Sequence, residues 1–178
     1  MGLVDFLTTT QVDPDTGDTL PPFGVSGGTA EDVMQQYKKI KGNDVEDEAL
    51  YLIKANAPVN TEAYTYVQTQ LSSGKIKFLI DESNAKTKLM STKVGQNMDV
   101  DKRNDYLRPF VQTSILREQM LNLVESNEGS NIILKQSSAS IKKDKFSSFL
   151  YGLYYIKQEE DSKKKKKKRQ ISNFMFFN

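Results

Sequence analysis

Short apolar strands alternating with longer amphipathic helices make this an α/β sequence, with a small mixed sheet flanked by helices. Three observations predict that class. Apolar runs of strand length recur at Phe23–Ser26, Ala49–Ile53, Lys75–Ile80 and Asn131–Lys135. Segments with apolar residues at helical spacing lie between and after them. Gly-, Pro- and Asn-rich clusters separate the two kinds of segment. The size fits one core: 178 residues, 37% hydrophobic and 27% charged, enough for a chain of this length to bury most of its unfolded surface.

In chain order, Gly2 to Thr10 reads as a short helix with Leu3, Val4, Phe6 and Leu7 apolar. It has no capping residue ahead of it, as in a helix cut from something longer. Val12 to Asp18 is a turn built on Pro14 and Gly17, where Pro presets φ and Gly permits a positive φ. Pro21-Pro22 introduces the strand Phe23–Ser26, which Gly27-Gly28 is expected to end. Thr29 and Asp32 have the spacing of a capping box and open a helix with Val33, Met34, Tyr37 and Ile40 on its apolar stripe, closed by Gly42-Asn43.

Ala49–Ile53 reads as a strand buried on both faces. Asn60 or Thr61 then caps a helix to about Ser72, with Ala63, Tyr64, Val67 and Leu71 inward, and Ser73-Gly74 stops it. After the strand Lys75–Ile80 come a polar helix from Asp81 to about Lys93 and a mobile stretch through Asp105. Pro109 suits the first turn of a long helix, where its missing N–H costs nothing. Phe110, Val111, Ile115, Leu116, Met120, Leu121 and Val124 face inward from that helix, which Asn127-Glu128-Gly129 closes. A last helix runs from about Asp144 to Gln158 with Phe146, Phe149, Leu150, Leu153, Tyr154 and Ile156 buried or partly so. Residues 1–160 form the folded part, and 161–178 a disordered basic tail with an apolar end, Phe174, Phe176 and Phe177.

Two zeros exclude whole classes of chemistry. The chain has no cysteine and no histidine. It therefore has no disulfide, no thiolate nucleophile, no imidazole base and no Ser-His-Asp triad. Any metal must sit on oxygen ligands, which favours Mg²⁺ or Mn²⁺. No phosphate-binding Gly-rich loop of either common spacing is present. No apolar run reaches the roughly 18–20 residues of a membrane span, and the N-terminus lacks the pattern of a secretory signal.

The net charge of +2 conceals a split. Lys163–Arg169 hold seven of the 25 Lys+Arg, and without them 18 cations face 23 Asp+Glu, a net charge of −5. The basic run suits nucleic acid or another polyanion, or else a solvated end. Asp144, in the first turn of the last helix, has two readings. It is an acid favoured by the helix dipole, or a carboxylate that helps hold a divalent cation while Lys142, Lys143 and Lys145 contact phosphates. Lys54, after the strand ending at Ile53, is a further phosphate contact or a surface lysine. Tyr151, Tyr154 and Tyr155 are expected to pack rather than to stack on bases.

Several segments, in order, resemble the C-terminal nuclease domain of tailed-phage terminase large subunits. They are Gly2-Leu3-Val4-Asp5-Phe6-Leu7; Asp13-Pro14-Asp15-Thr16-Gly17-Asp18-Thr19-Leu20-Pro21-Pro22; Leu52-Ile53-Lys54-Ala55-Asn56; Gly74-Lys75-Ile76-Lys77-Phe78-Leu79-Ile80; and Lys143-Asp144-Lys145-Phe146-Ser147-Ser148 with Tyr151-Gly152-Leu153-Tyr154-Tyr155. The resemblance spans about residues 2–158. It implies an incomplete RNase H-like nuclease fold, part of the motor that packages viral DNA and cuts concatemers. It also implies a site of two divalent cations, Mg²⁺ or Mn²⁺, with Asp144 matching the family's last metal-binding acid. Such a pair activates the attacking water and stabilises the leaving oxygen.

The family's other metal acids would precede Met1, and Asp5 matches a helix acid that is not a ligand. The ATPase part of the family has no counterpart here. The isolated chain is therefore expected to be inactive, as a split-gene or separately encoded part. The partners implied are double-stranded DNA, the upstream ATPase and nuclease segment, the portal and the small terminase subunit, in the host bacterial cytoplasm at the procapsid. A non-catalytic module docking on DNA or portal through its basic tail is the alternative, and an unrelated α/β scaffold a second.

Overall fold

In a computed structural model, residues 3–38 and 49–174 are described. They form a mixed α/β chain with small sheets flanked by helices. The expected single sheet is instead three separate two-stranded sheets among the described residues. The chain divides into two compact units, Met1–Val59 and Asn60–Asn178.

In the first unit, helix α1 (Leu3–Leu7) precedes a hairpin of β1 (Gln11–Val12) and β2 (Thr19–Leu20). Its turn is the expected one. The Asp13 carboxylate accepts the N–H groups of Asp15 at 2.8 Å and Thr16 at 3.1 Å, and Gly17 supplies a φ of +76°. Strand β3 (Val25–Gly28) pairs in parallel with β4 (Leu50–Leu52), with α2 (Glu31–Lys38) in the crossover. Gly27-Gly28 thus extend the strand rather than end it. A Cβ on Gly28 would lie 2.7 Å from Met34 Sδ and from the Leu52 carbonyl oxygen, so the strand needs glycine for that close approach. Strand β4 is half-buried, not enclosed on both faces. The Thr29 hydroxyl accepts the Lys54 N–H at 2.8 Å, linking the chain after β4 to the segment before α2. Tyr37 Oη donates to Asp5 at 2.8 Å, and that bond holds the phenol proton more tightly than usual. Gly42-Asn43, the expected end of α2, lie outside the described residues.

Helix α3 (Ala57–Ser72) starts earlier than expected because the Asn56 carboxamide caps it, accepting the Val59 N–H at 3.0 Å. Ala63 and Val67 are fully buried. The expected strand Lys75–Ile80 does not form: among the described residues the segment joins no sheet, and Leu79 and Ile80 are exposed. Its apolar content resembles a strand, yet a strand exists only with a partner for its N–H and C=O groups. Phe78 instead meets Phe149, with ring centroids 6.0 Å apart.

The stretch expected to be mobile is helical. Helices α4 (Glu82–Met90), α5 (Lys93–Asn97) and α6 (Val100–Leu121) each begin at a capping side chain. Asp81 accepts from Asn84 N, Thr92 from Gly95 N and Asp99 from Lys102 N, each at 3.0 Å. These bonds from backbone N–H groups hold the Asp81 and Asp99 carboxyls below their ordinary range. Ala85, Leu89 and Leu107 form a buried cluster, with Met98 and Phe110 against it. Pro109 lies inside α6 rather than in its first turn, at an expected cost of roughly 3 kcal/mol for the lost bond and the ring clash. Helix α6 ends at Leu121, so Val124 and Asn127-Glu128 belong to strand β5 (Leu123–Glu128), antiparallel to β6 (Asn131–Gln136). Gly129, with φ +61°, opens the two-residue turn between them, the position where this hairpin geometry favours glycine.

Helix α7 (Asp144–Phe174) does not stop near Gln158 but continues through the lysine run, over 31 residues, or about 46 Å. Phe146, Leu150 and Tyr154, four residues apart, are buried along one stripe. Tyr151 Oη donates to Asn60 and Tyr154 Oη to Glu62, so both serve packing. Lys157 Nζ lies 2.6 Å from Glu62 and 2.9 Å from Asp161. Hydrogen bonds from Lys157 lower both carboxyls, and the two carboxylates raise the Lys157 ammonium. A carboxyl held below its ordinary 4.5 for Glu62 and 3.8 for Asp161 stabilises the fold fully above those values. That contribution is lost as pH falls through the lowered native ones. Urea unfolding of the native chain and of Lys157→Met is therefore expected to differ at pH 7, with the difference shrinking as pH falls below about 4. A difference that persists unchanged at pH 3 would contradict the assignment.

Candidate functional site

The loop leading into α7 is fixed by polar side chains from the end of α6. Asn122 is buried; its Oδ1 accepts from Ser138 N at 2.9 Å, and its Nδ2 donates to the carbonyls of Ser138 at 3.0 Å and Ile141 at 3.3 Å. Lys143 O accepts the first backbone bond of α7, from Ser147 N at 2.8 Å. A lysine there offers no side-chain acceptor to the open N–H groups of the first turn. Gln119 fills that role from α6: buried, with 6% exposure, its Oε1 accepts the Phe146 N–H at 3.0 Å. The start of α7 is thus capped by another helix.

This capping places Asp144 at the first position of α7, exposed at the mouth of an open groove lined by Gln112, Thr113, Leu116, Asp144, Lys145 and Ser148. Lys145 Nζ donates to Gln112 Oε1, tying the second residue of α7 to α6. Ser148 Oγ donates to the Asp144 carbonyl at 3.0 Å. Lys142 and Lys143 are exposed just before the helix. The structure therefore brings Lys142, Lys143, Asp144 and Lys145 together at one helix start. Lys54 belongs to the other unit and pairs with Asp32 Oδ2 at 2.7 Å.

The donor set decides what this site holds. One carboxylate, a carboxamide already used by Lys145 and two hydroxyl side chains line the groove, with no second acid. Among the described residues no group of three or more Asp or Glu is placed to hold a metal ion. Alone, the site does not fit a pair of divalent cations. It presents one carboxylate, with Lys142, Lys143 and Lys145 adjacent in sequence and the Lys145 ammonium taken up by Gln112.

Sequence reading missed Gln112, Gln119 and Asn122. Gln119 and Asn122 are buried polar residues that demand hydrogen-bond partners, whereas Gln112 is exposed and carries no such signal. Gln119→Met keeps the shape but leaves the Phe146 N–H buried without its acceptor. It is expected to cost about 1–3 kcal/mol in chemical denaturation, with Gln119→Glu less affected because it keeps an acceptor. Equal effects would contradict the capping role.

Comparison with protein-family models, with curated proteins and with solved structures returns no match.

Proposed function

We propose that these residues are the distal part of the nuclease of a tailed-phage terminase large subunit, acting in viral DNA packaging in the host bacterial cytoplasm. The observation that carries this reading is Asp144. It is exposed at the first position of α7, held there through Gln119 and flanked by Lys142, Lys143 and Lys145. The order of the segments between Gly2 and Tyr155 supports it, as does the parallel pairing of β3 with β4 across α2.

In this reading the lysines draw in and hold the phosphates of duplex DNA, and Gln112 fixes Lys145. Asp144 contributes one carboxylate to a Mg²⁺ or Mn²⁺ site whose remaining acids come from the upstream ATPase and nuclease segment. The portal and small terminase subunit are the further partners. Helix α7 keeps the carboxylate in place, because its first turn is tied to α6 at two side chains.

The test is plasmid cleavage in Mn²⁺ by the 178-residue chain, alone and together with the polypeptide encoded immediately upstream. The expected result is cutting only in the combined sample. Metal-dependent cutting by the chain alone, or none in the combination, would overturn the reading.

A further inference from the structure

From its outer end, α7 offers a second place for a polyanion, apart from the Asp144 groove. Glu159, Glu160 and Asp161 precede the basic run and are taken up by it: Lys163 lies 4.0 Å from Glu159, and Lys164 lies 4.0 Å from Glu160 and 3.5 Å from Asp161. Lys157, held by Glu62, fastens this part of the helix to α3. No acid occurs after Asp161 in the sequence. On a helix, Lys166 to Arg169 therefore have no acid three or four positions away to neutralise them.

We propose that residues 163–169 of α7 form a sequence-independent binding element for duplex DNA, seated in the major groove. Seven consecutive cations on the helix span about 10 Å and nearly two turns, so the positions occupy every azimuth. Duplex DNA carries a negative charge about every 1.7 Å, roughly six over the same length. An α-helix about 10–12 Å across fits a major groove about 12 Å wide, whose two walls are phosphate backbones. Basic positions at every azimuth suit a groove with two charged walls, whereas a lipid surface would engage one side only. Lysines act as point charges without a fork for base edges, so the contact reads charge and not sequence.

Neutralisation also acts on the helix itself. Lys163 and Lys167, Lys164 and Lys168, and Lys165 and Arg169 are like-charged pairs four positions apart, a spacing at which like charges disfavour the free helix. DNA binding relieves these repulsions, so circular dichroism is expected to show a gain in helicity on adding duplex.

This inference stands apart from the nuclease reading, because binding is measured in EDTA. The probe is a fluorescent 30-base-pair duplex of mixed sequence, titrated with the full chain between 50 and 200 mM salt. The expected slope of log K against log salt is roughly −4 to −6, about 0.9 per phosphate contacted. Replacing Lys165, Lys166, Lys167 and Lys168 by Gln together is expected to weaken binding at least 100-fold at low salt and to flatten the slope by about 3. Its urea midpoint should be unchanged, since the anchors at Tyr154 and Lys157 remain. An unaltered slope in that variant would overturn the proposal. So would preferential binding to vesicles of phosphatidylcholine with 30% phosphatidylserine, which would assign the element to a membrane surface.

Discussion

Gly95→Ala is expected to destabilise the second unit by about 3 kcal/mol or more, above the usual range for an overpacked core. A Cβ at this position would lie 2.0 Å from the Leu89 carbonyl oxygen and 2.6 Å from its carbon. Neither atom is the end of a flexible side chain. The Leu89 carbonyl is held from two sides, by Thr92 N at 3.1 Å and by Thr92 Oγ1 at 2.8 Å. Leu89 itself belongs to the buried cluster with Ala85 and Leu107. Relief of the clash must therefore part α4 from α5 or pull Leu89 from the core. Against a total stability of about 5–15 kcal/mol, that is a large fraction. Gly74→Ala is the control. Its φ is +67°, but nothing lies within 4 Å of the added Cβ, so the expected loss is only the roughly 1–2 kcal/mol of left-handed backbone. Urea denaturation of both variants checks the order, and a Gly95→Ala loss below that of Gly74→Ala would contradict the helix contact.

Asp144→Asn should have the largest effect on function. In the chain combined with its upstream segment, cleavage is expected to fall by about 10²–10⁴-fold, as loss of several kcal/mol of metal-linked stabilisation demands. The fold should hardly change. Asparagine keeps the shape, and an exposed acid in a first helical turn is worth only about 0.3–1 kcal/mol, while the Gln119 and Gln112 ties are untouched. Rate and stability are thereby separable. Single-turnover cutting measured beside the unfolding midpoint distinguishes a lost ligand from a lost fold. A parallel fall of both would reduce Asp144 to a helix-capping acid.

Local chemistry was legible where it decides structure within a few residues. The Asp13–Gly17 turn, the start of α7 near Asp144 and the inward positions Ala63, Val67, Phe146, Leu150 and Tyr154 were all accessible from spacing and residue type. What spacing cannot supply is a partner. Lys75–Ile80 has the composition of a strand but meets no neighbouring strand among the described residues, while Gly27-Gly28, expected to end a strand, lie within one, close against Tyr51 and Met34. The stretch after Lys93 through Asp105, expected to be mobile, instead holds helices capped by Thr92 and Asp99. Asp144 and its lysines were visible as a group from adjacency alone. Gln119, which holds them, lies 25 positions earlier in sequence and is revealed only by the packing of α6 on α7.

Under the proposed function, Asp144 shares divalent cations with acids from outside these residues. Titration of Mn²⁺ followed by the loss of its free electron paramagnetic resonance signal measures that sharing. Tight uptake is expected when the upstream polypeptide is present, and its loss in Asp144→Asn. Uptake that is indifferent to Asp144, or equally tight in the 178-residue chain alone, would contradict it.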